Sequence, residues 1–74
     1  MTGTEFEIML DAIMYLGARN QPPPTGTDEA VDWWMDAAAE IGTLSAKWEN
    51  HPLAAAVLIA VYGYIEGKAK AVTP

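Results

Sequence analysis

Pro52-Leu-Ala-Ala-Ala-Val57-Leu-Ile-Ala-Val-Tyr62-Gly-Tyr-Ile-Glu66-Gly-Lys-Ala-Lys-Ala71 is the stretch on which the fold turns. Its middle, Val57 to Tyr62, is β-branched and aromatic enough for a strand. The flanks, Leu53–Ala56 and Glu66-Gly67-Lys68-Ala69-Lys70, favour helix, so one helix is expected over 52–71. Pro52 suits a first helical position, with Asn50 or His51 as its cap. Lys68 and Lys70 suit the negative end of the helix dipole, and Glu66 stands one turn before Lys70. At about 100° per residue, Leu58, Val61, Tyr62 and Ile65 form a bulky ridge. Ala56, Ala60, Gly63 and Gly67 form a small-residue groove on a different face, and Gly63-x-x-x-Gly67 resembles the motif of closely associating helices. From Leu53 to Ile65 the helix is apolar all round, and a helix of that kind is buried on every side. Every helix of a three-helix monomer keeps a wet side. The expectation is therefore a homo-oligomeric helical bundle with this helix at its centre.

Two further helices lie upstream. Asn50-His51-Pro52 makes a short turn (49–52), and Asn20-Gln21-Pro22-Pro23-Pro24-Thr25-Gly26 makes a Pro-rich connection (20–27) that cannot be helical. Between them a helix is expected over 28–48, capped by Thr27, with Asp28 and Glu29 at its positive end. Val31, Trp34, Met35, Ala38, Ile41, Ser45 and Trp48 make its expected core face, extended on one side by Trp33, Ala37 and Leu44. The resulting apolar sector spans about 200°, twice what a surface helix needs. The first helix is expected over 4–19, with Thr4 and Glu7 as a capping box. Phe6, Met9, Leu10, Ile13, Leu16 and Gly17 form its expected core stripe, and Ile8, Ala12 and Tyr15 its far side. The fold class is all-α, a single small domain over 1–74.

Composition narrows the function. The chain has 74 residues, of which 51% are hydrophobic, and no cysteine. A chain of this size folds to roughly 4,500 Å² of surface around a thin core. With neither disulfide nor thiolate metal site available, oligomerisation is the remaining remedy for so small a core. Ten acidic against four basic residues leave a net charge of −6. Arg19, Lys47, Lys68 and Lys70 form no basic patch, which argues against nucleic-acid binding. The opening MTGTEFEIML lacks the positive region of a signal peptide. The uncharged run from Pro52 to Ile65 would span only about 21 Å as a helix, short of a bilayer's hydrocarbon core. A cytoplasmic protein with no membrane partner is expected.

No pattern of catalytic or ligating residues emerges. His51 follows Glu49 at the wrong spacing for a di-iron helix motif, and it reads as a cap. Ser45, the only serine, sits on an expected core face six positions before His51 and reads as a helix-crossing residue. No glycine-rich phosphate loop or metal motif occurs. No enzyme, cofactor or metal is expected. Asp28, Asp32, Asp36 and Glu40 recur at four-residue spacing as an acidic strip. Each step drifts about 40° around the helix, so the carboxylates fan out instead of converging on one ion. The strip reads as a solubilising face, with docking onto a basic protein as an alternative. Trp33 and Trp34 lie about 100° apart and cannot both enter one core. The expected oligomer contacts are Trp33, Trp34, Leu44 and Trp48 together with Ala56, Ala60, Gly63 and Gly67.

Glu40-Ile41-Gly42-Thr43-Leu44, Leu53-Ala54-Ala55-Ala56, Gly63-Tyr64-Ile65 and the terminal Ala71-Val72-Thr73-Pro74 carry a resemblance confined to the second half of the chain. That half resembles the helical hairpin of the phage anti-CBASS cyclic-oligonucleotide sponges. The resemblance implies a phage or mobile-element protein of anti-defence role, a helical homo-oligomer that holds small anionic cyclic nucleotides in pockets between protomers. The family's polar segment before the last-helix glycine is Leu58-Ile59-Ala60-Val61-Tyr62 here, and its basic residue falls on the alanines at 37–39, so no ligand-binding residue carries over. Three readings follow: a non-enzymatic homo-oligomeric binding protein, a cyclic-oligonucleotide sponge, and an acidic inhibitor of a basic partner.

Overall fold

The computed structural model describes residues 1–71; Val72–Pro74, which entered the resemblance above, lie outside the described residues. The chain forms three helices, α1 (Gly3–Arg19), α2 (Asp28–Lys47) and α3 (Pro52–Ala71). Ile8 and Ala12 of α1 cluster with Ala54 and Leu58 of α3. At the other end Lys68 donates to the backbone carbonyl of Asn20 at 2.7 Å, so α1 and α3 run parallel. Leu44 and Trp48 pack on the same cluster as Leu53, and Trp34 meets Tyr62, which sets α2 antiparallel to both. The result is an up-down-up bundle with α3 packed against both partners. It measures 42 × 19 × 17 Å, with a radius of gyration of 13.1 Å against about 11 Å for a spherical chain of this length.

Local chemistry sets the helix ends. Thr2 caps α1 through a reciprocal box: its hydroxyl accepts from Glu5 N (3.1 Å), and the Glu5 carboxylate accepts from Thr2 N (2.6 Å). This corrects the expected Thr4–Glu7 box by two residues, since Thr2-x-x-Glu5 has the same pattern and captures one more half-turn. Thr27 caps α2 as expected, accepting from Ala30 N (3.1 Å) while its hydroxyl donates to the Pro24 carbonyl (3.0 Å). Gly26 has φ +86°, which glycine alone adopts freely. At the α2–α3 turn, Glu49 and Asn50 both take left-handed backbone (φ 52° and 58°), and Asn50 N donates back to Ser45 O (3.0 Å). His51 Nδ1 then accepts from Leu53 N (3.1 Å), making His51 the cap of α3.

The inward faces of α1 and α2 differ from expectation. In α1 the buried residues are Ile8, Ala12 and Tyr15, whereas Phe6, Leu10, Ile13 and Gly17 are exposed. The physical reason is polar. Asp11 and Arg19 lie on the Ile8–Tyr15 side and find partners on α2 only when that side faces inward. Turned inward, that side buries Ile8 with the Tyr15 ring and hydrogen-bonds to α2; turned outward, the same polar groups would be solvated and those cross-helix contacts forgone. In α2 the buried line runs through Ala30 and Ala37, with Trp33, Trp34, Ile41, Leu44 and Trp48 half-buried beside it; Val31, Met35 and Ala38 are exposed. The residues expected to flank the α2 core are thus its centre. In α3 the ridge is as read, with Leu58 and Ile65 buried and Val61 and Tyr62 half-buried. Among the described residues, nothing covers the opposite side of α3.

Among the described residues, five of the nine buried core residues are alanine, and only Ile8, Tyr15, Leu58 and Ile65 are bulky. Ile8→Ala should therefore cost about 2–4 kcal/mol in urea unfolding of the dilute chain, and Ile13→Ala less than about 1 kcal/mol. Equal losses would mean that α1 faces the other way.

Candidate functional site

Polar contacts rivet α1 to α2. The Tyr15 hydroxyl donates to the Ala37 carbonyl at 2.9 Å. Asp11 accepts from Lys47 Nζ at 2.8 Å and from Trp48 Nε1 at 2.9 Å. Arg19 makes a two-pronged ion pair with Glu40 and lies 5.0 Å over the Trp33 ring. The hydrogen bond from Lys47 holds the Asp11 carboxyl below the ordinary carboxylate range, and that from Arg19 does the same for Glu40. Burial pushes the Tyr15 hydroxyl upward. Asp11 was not singled out in the sequence. The signal was present: Asp11, Tyr15 and Arg19 recur every four residues on the side opposite Phe6, Leu10 and Ile13.

These contacts occupy most of the positive charge. Arg19 and Lys47 are ion-paired, and Lys68 donates to both oxygens of Asn20 (2.7 and 2.8 Å) while lying 5.8 Å from the Tyr64 ring. Three of the four basic side chains are thus engaged within one protomer. Glu40 leaves the acidic strip to bind Arg19, so Asp28, Asp32 and Asp36 remain as its outward members. Between α1 and α2 lies an open groove of about 350 Å³ lined by Asp11, Met14, Tyr15, Glu40, Thr43 and Leu44. Its two carboxylates are the ones already bonded across the helices.

The tryptophans pack within the protomer. Trp33 and Trp34 are both half-buried and meet edge to face at 4.8 Å; Trp34 meets Tyr62 in the same way at 5.6 Å. Trp48 is fixed by Asp11 and by Lys47 over its ring, and Leu44 packs on the core cluster. Of the eight expected contact residues, Ala56, Ala60, Gly63 and Gly67 are therefore the ones that face outward, all exposed. No atom outside the local helix would approach within 4 Å of a side chain built at Gly63 or Gly67.

Each helix presents an outward apolar line at spacings of four, three and four. On α1 it is Phe6, Leu10, Ile13 and Gly17; on α2, Val31, Met35, Ala38 and Gly42; on α3, Ala56, Ala60, Gly63 and Gly67. This is the seam spacing of paired helices. Phe6 is 59% exposed, Leu10 45% and Ile13 62%. The α1 line stands about 165° from its buried side, and the α3 line likewise opposes Leu58 and Ile65. Beside the α2 line run Asp28, Asp32 and Asp36. Among the described residues, α3 is also the one helix long and apolar enough to cross a membrane, over Pro52–Lys70. Its continuation past Ile65 gives it the length that the uncharged run lacks.

Because the Asp11 and Glu40 carboxyls titrate below their ordinary values, their stabilisation is complete above about pH 5 and is lost as pH falls through the lowered values. Asp11→Asn combined with Glu40→Gln should flatten the acid limb of stability, followed by tryptophan fluorescence, and Asp11→Ala should cost about 1–2 kcal/mol at neutral pH. An unchanged acid limb would remove these pairs from the account. Comparison with protein families, with curated proteins and with solved structures finds no match for this chain.

Proposed function

We propose that this chain is a non-enzymatic binding protein that works as a homo-oligomer. One observation carries the reading. Among the described residues, nine large apolar side chains, Phe6, Ile13 and Ile59 among them, are exposed against four that are buried. Scattered apolar side chains are ordinary on a protein surface. Aligned rows along whole helices are not, and contiguous apolar faces mark contact surfaces. The thin alanine-based core points the same way, because burial between copies supplies what burial within one chain lacks.

A second copy suits these faces better than a bilayer does, because α3 is packed on two amphipathic helices that carry Asp11, Arg19, Asp28, Asp32, Asp36 and Glu40. The charge of −6 then forms the soluble exterior of the assembly. Capture of a cyclic nucleotide would draw on basic residues gathered from several protomers, since those of one protomer are mostly engaged.

Light scattering at micromolar concentration should give a multiple of 8.0 kDa, with a melting temperature that rises with concentration. A single 8.0 kDa species throughout would overturn the reading. So would sedimentation with phosphatidylcholine vesicles, which would assign the apolar faces to lipid.

A further inference from the structure

The α1 and α3 rows are complementary as well as exposed. The α1 row tapers from bulky to small, Phe6, Leu10, Ile13, Gly17, and the α3 row from methyl to none, Ala56, Ala60, Gly63, Gly67. Laid antiparallel at the same four-three-four spacing, Phe6 meets Gly67, Leu10 meets Gly63, Ile13 meets Ala60 and Gly17 meets Ala56. The largest side chains then enter the deepest part of the groove, and the backbones can approach closely. Laid parallel, Gly17 would face Gly67 across a void while Phe6 crowded Ala56, and voids and overpacking both destabilise.

Charge selects the same orientation. Glu5 and Glu7 lie in the first turns of α1, while Lys68 and Lys70 lie in the last turn of α3 beside a single acid, Glu66. Antiparallel pairing sets the acidic end of one helix against the basic end of the other, with Lys70 the base available there since Lys68 is held by Asn20, and opposes their dipoles. Pairing two α1 rows antiparallel would set Glu5 and Glu7 against Arg19, which is already ion-paired with Glu40 of its own protomer. The α2 row competes poorly, because Asp28, Asp32 and Asp36 border it and keep it wet.

We propose that α1 of one copy seats its Phe6–Leu10–Ile13 row antiparallel in the Ala56–Gly67 groove of α3 of a second copy. This rests on the assembly reading above and names its contact. The two rows face away from each other across the protomer, so one pair of copies cannot satisfy both. The contact is heterologous: each copy gives a ridge and receives one, with successive copies inverted, and the assembly extends in one direction.

The chain contains no cysteine, so thiols introduced at Ile13 and Ala60 are the only ones present. Both positions are exposed, and helical circular dichroism verifies that the variants fold. With a short bismaleimide, a mixture of Ile13→Cys and Ala60→Cys chains should give a covalent species of twice the chain mass, neither variant alone should do so, and the double variant should give a ladder beyond the dimer. A covalent dimer from Ile13→Cys alone would overturn the proposal in favour of α1 pairing with α1. An oligomer without cross-linking in the mixture would overturn this contact and leave the assembly reading standing. A monomer would remove both.

Discussion

The orientation of α1 depends on Asp11. Its carboxylate accepts from Lys47 and from the Trp48 indole of α2, and together with the Tyr15 and Arg19 contacts it decides which side of α1 turns inward. Apolar bulk alone would choose otherwise, since Phe6, Leu10 and Ile13 outweigh Ile8 and Ala12. Hydrophobic burial is non-directional, whereas an indole N–H, a phenol and a guanidinium each need a partner at a fixed distance and angle. The inward side buries Ile8 and the Tyr15 ring and adds cross-helix hydrogen bonds of about 0.5–1.5 kcal/mol each, which Phe6, Leu10 and Ile13 could not make. The bulkier stripe is then left outside. The apolar surface and the polar rivets are two results of one rotation.

Alanine completes the arrangement. Ala12 against Ala54, with Ala30, Ala37 and Ala69 elsewhere in the core, lets helix axes lie close without large side chains between them. Close approach of α1 to α3 leaves the wider gap between α1 and α2 to be spanned by the side chains of Asp11, Tyr15 and Arg19. It also leaves little apolar area inside: the accessible surface of 4895 Å² exceeds the roughly 4,500 Å² usual at this mass.

The three helices and their limits were legible because their signals are local. Prolines 22–24 and 52, the Thr27 cap and the His51 turn act within a few residues, and each end fell within two positions of the expected one. The ridge and the groove of α3 were legible too, since bulk and smallness there sit on separate faces. The inward side of α1 was not. A helical wheel weighs apolar bulk and cannot see that Asp11, 36 positions from Lys47, has a partner. In α2 the wheel centred on Trp34 and Met35, where the bundle chose Ala37, the residue whose carbonyl receives the Tyr15 hydroxyl. Trp33 and Trp34 could both be accommodated because each is half-buried, edge to face, and neither is enclosed.

The turn at Glu49–Asn50 bears on the order in which the chain folds. It closes α2 onto α3 through contacts a few residues apart in sequence, so that hairpin forms at little loop-closure cost. The α1–α3 contact joins Ile8 to Ala54, 46 positions apart, across the proline-stiffened connection. Docking of α1 is thus the step that carries the larger loop-closure cost. The side of α1 that carries Ile8, Asp11, Ala12, Tyr15 and Arg19 makes its contacts with α2 and α3. The helix with the largest exposed apolar row is therefore the one whose docking closes the longest loop.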